Sequence, residues 1–161
     1  MTRTTSNERG LTLLELTVVV VLATIVMVGM VGFYLTSQAT WIESSGQSLT
    51  QREGTFILER MTQHIRPAAS ATVSTGPTSI TLFDHDGLSI AKYELGGDSL
   101  VHEYVASIPG TLIDRGGLGS STVVRFEAWA DTAQVVVTAL HLRSANGAVV
   151  ELNTTMGMYN R

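Results

Sequence analysis

From Leu16 to Leu35 the chain reads LTVVVVLATIVMVGMVGFYL, twenty residues without a charge, and the next charged residue is Glu43. A helix rising about 1.5 Å per residue needs roughly 20 such residues to cross a hydrocarbon layer about 30 Å thick. This run therefore predicts a helix made for a bilayer or for burial among other helices. Charged residues make up 15% of the chain, well below the roughly 25% of an ordinary soluble domain. The apolar excess is gathered in this one run. Of the 161 residues, the rest suffice for a single modest domain.

Residues 1–10, MTRTTSNERG, are polar and include Arg3 and Arg9, and the positive-inside tendency keeps such a segment cytoplasmic. The expected topology is a single pass through the cytoplasmic membrane with the C-terminal part outside the cytoplasm. No proline follows until Pro67, so nothing breaks the helix after Leu35. Ile57, Met61 and Ile65 keep an i, i+4, i+8 rhythm, while Glu53, Glu59 and Arg60 are expected to face solvent. Gly46 and Gly54 are weak points within it. The pattern predicts one helix from about Leu13 to Ile65, ended by Arg66 and Pro67.

Beyond Pro67 the rhythm changes to period two. Ser79–Phe83, Ser89–Leu95 and Ser99–Val105 read as strands separated by Asp86-Gly87 and Gly96-Gly97-Asp98, a meander. A glycine-rich loop is expected over Pro109–Ser121, followed by strands at Thr122–Trp129, Gln134–Arg143 and Ala148–Thr155. Asn146-Gly147 between the last two is the strongest hairpin signal. The fold class predicted is α+β: a long N-terminal helix, transmembrane and then amphipathic, packed on an antiparallel β-sheet. The boundaries are a leader at 1–10, a spanning helix at 11–36, its amphipathic continuation at 37–66 and a β-rich outer domain at 67–161.

At the start of the helix the residues are Arg9-Gly10-Leu11-Thr12-Leu13-Leu14-Glu15-Leu16. This octet resembles the class III signal of type IV pilins and pseudopilins: a glycine, an apolar first mature residue, threonine, two apolar residues and a glutamate. Leu11 stands where the family usually has phenylalanine. The resemblance implies a pilin-like fold, cleavage after Gly10 by the prepilin peptidase, and N-methylation of Leu11. The implied partners are that peptidase, other pilin or pseudopilin subunits, the inner-membrane assembly platform, and membrane lipid before assembly. Phe56–Ser70, FILERMTQHIRPAAS, further resembles the helix end of minor pilins and J-type pseudopilins. Major pilins of the family often carry a C-terminal disulfide and a proline in the spanning helix. This chain has no cysteine, and its spanning run has no proline, which points to a minor subunit.

An ionisable side chain near the start of a spanning helix calls for a partner. For Glu15 that partner is expected to be the amine which cleavage would create on Leu11 of a neighbouring subunit, a cation at neutral pH because its pKa is about 8. Two rival readings of the N-terminus are a plain signal anchor and a secretory signal cut after Ser37-Gln38-Ala39. The second is disfavoured because such signals have apolar regions of about 7–15 residues.

Other classes find little support. Asp84-His85-Asp86-Gly87 contains two carboxylates of the kind that bind hard cations, but the rest of a calcium loop is missing, and a turn explains the same residues. Gly116-Gly117-Leu118-Gly119-Ser120-Ser121 lacks the lysine of a phosphate cradle. His64, His85, His102 and His141 have no zinc-ligand spacing. Trp41, Phe126 and Trp129 read as core or interface aromatics. No catalytic constellation, metal site or cofactor is expected, so the chain reads as a structural subunit and not an enzyme. The alternative functions are a filament-borne adhesive or ligand-binding module, and a membrane-anchored ectodomain or enzyme. Beyond Gly10 there are eight basic and thirteen acidic residues, net −5, which argues against nucleic acid as a ligand.

Overall fold

The computed structural model describes residues 12–74, 76, 78–108 and 110–159. One helix, α1, runs Leu13–Ile65, the span expected from the absence of proline. Eight strands follow among the described residues: β1 (Ser70–Val73), β2 (Ser79–Phe83), β3 (Ser89–Leu95), β4 (Val101–Ile108), β5 (Thr111–Leu118), β6 (Thr122–Ala130), β7 (Gln134–Arg143) and β8 (Val149–Gly157). The fold is α+β and pilin-like. The chain divides into two compact units, with the boundary between Ile42 and Glu43. In the first, every described residue is helical or caps the helix, and all are exposed.

In the second unit α1 lays one stripe on the strands: Thr50, Gly54, Ile57, Met61 and Ile65 are buried. Their spacings of three and four residues keep them on one face of a 3.6-residue helix. Gly54 marks the closest approach, since a Cβ there would stand 2.2 Å from Leu152 Cδ1 and 2.9 Å from Leu142 Cδ1. The glycine that weakens the helix locally is thus what admits the sheet. Ile57, Met61 and Ile65 meet Ile80, Leu82, Tyr93, Phe126, Leu140 and Leu142, all fully buried. Each such large apolar side chain contributes on the order of 1.5–3 kcal/mol relative to exposure.

The β layer consists of two antiparallel meanders, β1-β2-β3-β4-β5 and β6-β7-β8. Three of the connections use one device. In Asp84–Leu88, Gly96–Leu100 and Ser144–Ala148 the fourth residue donates its N–H to the first carbonyl, and the first N–H bonds the fifth carbonyl. The fourth residue has positive φ each time: Gly87 at 74°, Ser99 at 61° and Gly147 at 87°. Asn146 does not, so the Asn146-Gly147 signal produces a three-residue loop ending in a glycine bulge rather than the tighter two-residue turn.

Two expectations need correction. Residues 109–121 are not one loop, because Thr111–Leu118 forms β5 beside β4. The glycines hid this strand: Gly116 takes a φ of 102°, and Gly117 leaves room for Leu100, whose Cδ1 would lie 2.7 Å from a Cβ there. Glu53 and Arg60 do not face open solvent; both reach the β layer, as described below. Glu59 is exposed as expected.

Candidate functional site

The candidate site begins at the first turn of α1. Thr12 lies just outside the helix, its carbonyl accepting the first helical bond from Leu16 N–H at 3.1 Å. Its hydroxyl accepts the backbone N–H of Glu15 at 3.3 Å, so Thr12 is the N-cap and Glu15 is the third helical residue. Threonine followed three positions later by glutamate is the capping-box pattern. It was available in the sequence and defines where the helix starts. A carboxylate at this position also meets the positive end of the helix dipole, worth about 0.3–1 kcal/mol. Glu15 and its flanks are open: Leu13 is 81% exposed and Leu14 76%. The expected cleavage and methylation residues, Gly10 and Leu11, lie outside the described residues.

A family model described as the prokaryotic N-terminal methylation motif matches residues 5–31. The chain carries a type IV prepilin-like signal. The match contains Gly10, Leu11, Thr12 and Glu15 and ends within the apolar run. No curated protein matches the chain, and no solved structure does. The prepilin-like assignment therefore rests on the first fifth of the chain, and the β-rich part has to be understood from its own geometry.

Three polar clusters stand out there. Glu103 on β4 is buried, and its carboxylate accepts the Arg60 Nε–H at 3.0 and 3.3 Å and the Tyr93 hydroxyl at 3.1 Å. His64 Nδ1 lies 2.6 Å from the same hydroxyl, which is also 3.1 Å from the Arg60 carbonyl. A phenol has one proton and two acceptor lone pairs. The Glu103 carboxylate and the Arg60 carbonyl accept, so if Tyr93 donates to one of them the bond to His64 takes its proton from Nδ1–H, and if Nδ1 is unprotonated it takes the phenol proton instead. Burial and the Glu103 carboxylate hold the Tyr93 phenol far above its ordinary value. Burial likewise pushes His64 below its ordinary value, helped by Arg60 and Arg115 and opposed by Glu103.

The second cluster explains Glu53. Its carboxylate accepts the backbone N–H groups of Ser120 at 3.2 Å and Ser121 at 2.7 Å, and the Ser120 hydroxyl. Burial tends to raise its pKa, but these bonds prevail and hold it below the ordinary carboxylate value. Gly119, with a φ of 77°, brings the connection between β5 and β6 over Glu53 and Ile57. The end of the glycine-rich run 116–121, which lacks the lysine of a phosphate cradle, thus holds a carboxylate of the chain itself.

In the third cluster, His102 Nε2 lies 3.0 Å from both Asp98 oxygens, and Nδ1 lies 3.6 Å from Asp114 Oδ1. A neutral ring would point a lone pair at one of these carboxylates, so the arrangement favours the imidazolium. The Asp98 bond accordingly raises His102 above its ordinary value, with Asp114 adding to it and burial opposing. Among the described residues no group of three or more metal-ligating side chains is arranged to hold a metal ion. Asp84 serves its own turn, accepting the N–H groups of Asp86 and Leu88 at 2.9 Å each.

The two histidines predict opposite pH behaviour. His102 binds its proton more tightly folded than unfolded, so its contribution is full below about pH 6.5 and is lost as pH rises through the folded value. For His64 the unfolded chain takes the proton first, so a penalty appears as pH falls below about 6.5. Urea melts of the full chain in detergent should show the stability gap between wild type and His102→Gln widening from about pH 8.5 to 6, and the gap for His64→Gln narrowing over the same range. Parallel pH profiles for the two variants would contradict the assignment.

Proposed function

We propose that this chain is a structural minor subunit of a type IV pilus or a type II secretion pseudopilus. The prepilin peptidase cleaves after Gly10 and methylates the new amine on Leu11. The helix resides in the cytoplasmic membrane as a single span, with the β-rich part outside the cytoplasm. Assembly then moves the helix from lipid into a core of other subunits' helices, where Glu15 meets a neighbour's N-terminal amine. The peptidase, sibling subunits and the assembly platform are the partners this requires.

Register is the observation that carries this reading. The matched motif lies over the start of a helix, Thr12 caps that helix two residues after Gly10, and every described residue up to Ile42 is exposed. Such an apolar surface is costly in water and calls for lipid or other helices around it. The missing cysteine and the proline-free helix favour a minor place. In the second unit, the polar clusters serve to hold α1 and the β connections together, which fits a structural role better than a catalytic one.

Processing is the direct test. Co-expression with a prepilin peptidase should remove ten residues and leave Leu11 at the N-terminus, as intact-mass and N-terminal analysis would show. Removal of the segment up to Ala39 would refute the prepilin reading in favour of a secretory signal.

A further inference from the structure

The outer end of the apolar run has its own construction. Tyr34, Gln38 and Trp41 lie at i, i+4 and i+7, on one face of α1. Together with Ser37 and Ile42 they line a shallow groove on that face. Gln38 donates its amide to the Tyr34 hydroxyl at 2.6 Å, joining two polar ends between two rings. Tyr34 is 59% exposed and Trp41 75%. Around them the hydroxyls of Thr36 and Thr40 bond back to the carbonyls of Gly32 and Thr36, each at 3.0 Å. The helix here is neither hydrocarbon-like, as it is up to Leu35, nor charged, as it is from Glu43 onward.

We infer that the face of Tyr34, Gln38 and Trp41 is a phospholipid-interface anchor that sets the depth of the helix before assembly. This rests on the membrane-spanning reading above and adds the depth and the lipid chemistry. Leu13 to Tyr34 is 22 residues, about 32 Å of helix from first to last against a hydrocarbon layer of about 30 Å. With Glu15 at the inner boundary, Tyr34 reaches the outer one and Trp41 lies among glycerol and headgroups. Tyrosine and tryptophan favour that zone because their rings prefer the boundary while the hydroxyl and indole N–H stay wet. A carboxamide beside them can bond ester carbonyls and water. No basic residue lies between Arg9 and Arg52, so the surface is suited to zwitterionic phospholipid and does not depend on anionic headgroups.

The test uses the full chain with Trp129→Phe, which leaves Trp41 as the one tryptophan, inserted in phosphatidylcholine vesicles. Quenchers attached near the ester end or the methyl end of the acyl chain report depth. Trp41 emission should be blue-shifted, quenched most by the ester-end label, and unchanged when anionic lipid is added. A second chain, carrying Val28→Trp with Trp41→Phe and Trp129→Phe, should be quenched most by the methyl-end label. If Val28→Trp reads deep while Trp41 is reached only by aqueous quencher, or also reads deep, the anchor is refuted and the span survives. A chain that does not float with the vesicles refutes the span and the anchor together.

Discussion

Glu15→Leu is expected to leave insertion and cleavage at wild-type levels while filament recovery falls by about 100-fold or more. The backbone N–H of Glu15, not its side chain, bonds the Thr12 hydroxyl, so the cap survives the substitution and the helix still begins at Leu13. Loss of the carboxylate from the first turn removes only about 0.3–1 kcal/mol of dipole stabilisation. Glu15 is the third residue of a helix that begins at Leu13, so in the proposed membrane-inserted precursor it would lie near the membrane edge and be inexpensive to insert. Among packed helices, by contrast, a neighbour's amine left without its carboxylate costs roughly 3–5 kcal/mol. The larger effect therefore falls on assembly. Quantifying processed precursor and sheared filaments from the same cells separates the outcomes. Failure of cleavage would assign Glu15 to peptidase recognition, and normal filaments would rule out the ion pair.

Arg60→Ala is expected to destabilise the second unit by about 3 kcal/mol, equivalent to a loss on the order of 10 °C in melting temperature. Glu103 is only 2% exposed, and without the guanidinium its buried carboxyl group would lose its cationic partner. The lower end of the usual range applies because the Arg60 side chain is itself 30% exposed. Arg60→Met with Glu103→Leu should recover most of the loss, since removing both partners of a buried pair is often nearly neutral. Tyr93 would still have the backbone carbonyl of residue 60 as acceptor. Thermal melts of wild type, Arg60→Ala and the double variant decide this; equal losses in both variants would show that the stability lies in packing and not in charge pairing.

The long elements were legible from sequence because one physical rule governs each. The absence of proline and the spacing of Ile57, Met61 and Ile65 defined α1, and alternation defined β7. The strand β5 was not legible, because its glycines mimic a loop and become intelligible only against Leu100 and the β4 bulges. Nor was the short strand β1, whose four residues, SATV, carry too little periodicity to register. Two polar sites were missed for a related reason. Periodicity sorts a helix into buried and wet faces, but Glu53 and Arg60 sit at the margin between them, where a long side chain can turn inward. Glu103 carried a signal: it falls on the inward phase of β4, between Val101 and Val105, where a carboxylate demands a partner. At the N-terminus the octet around Gly10 was readable as a signal, and the same residues hold the threonine–glutamate spacing that starts the helix, which the hydrogen bond from Glu15 N–H to Thr12 makes plain.

The ties made by Glu53 and Arg60 also have a mechanical meaning. Traction on α1 along its axis would pull the buried stripe past the strands in shear, and apolar contacts alone resist such sliding weakly because one methyl can replace another. Glu53 is fastened to the backbone at Ser120 and Ser121, and Arg60, two turns further on, is fastened to β4 through Glu103. Both must rupture together before the helix can advance by a turn. The two charged side chains act as a ratchet stop, converting a surface that could slip into one that yields only at a threshold force.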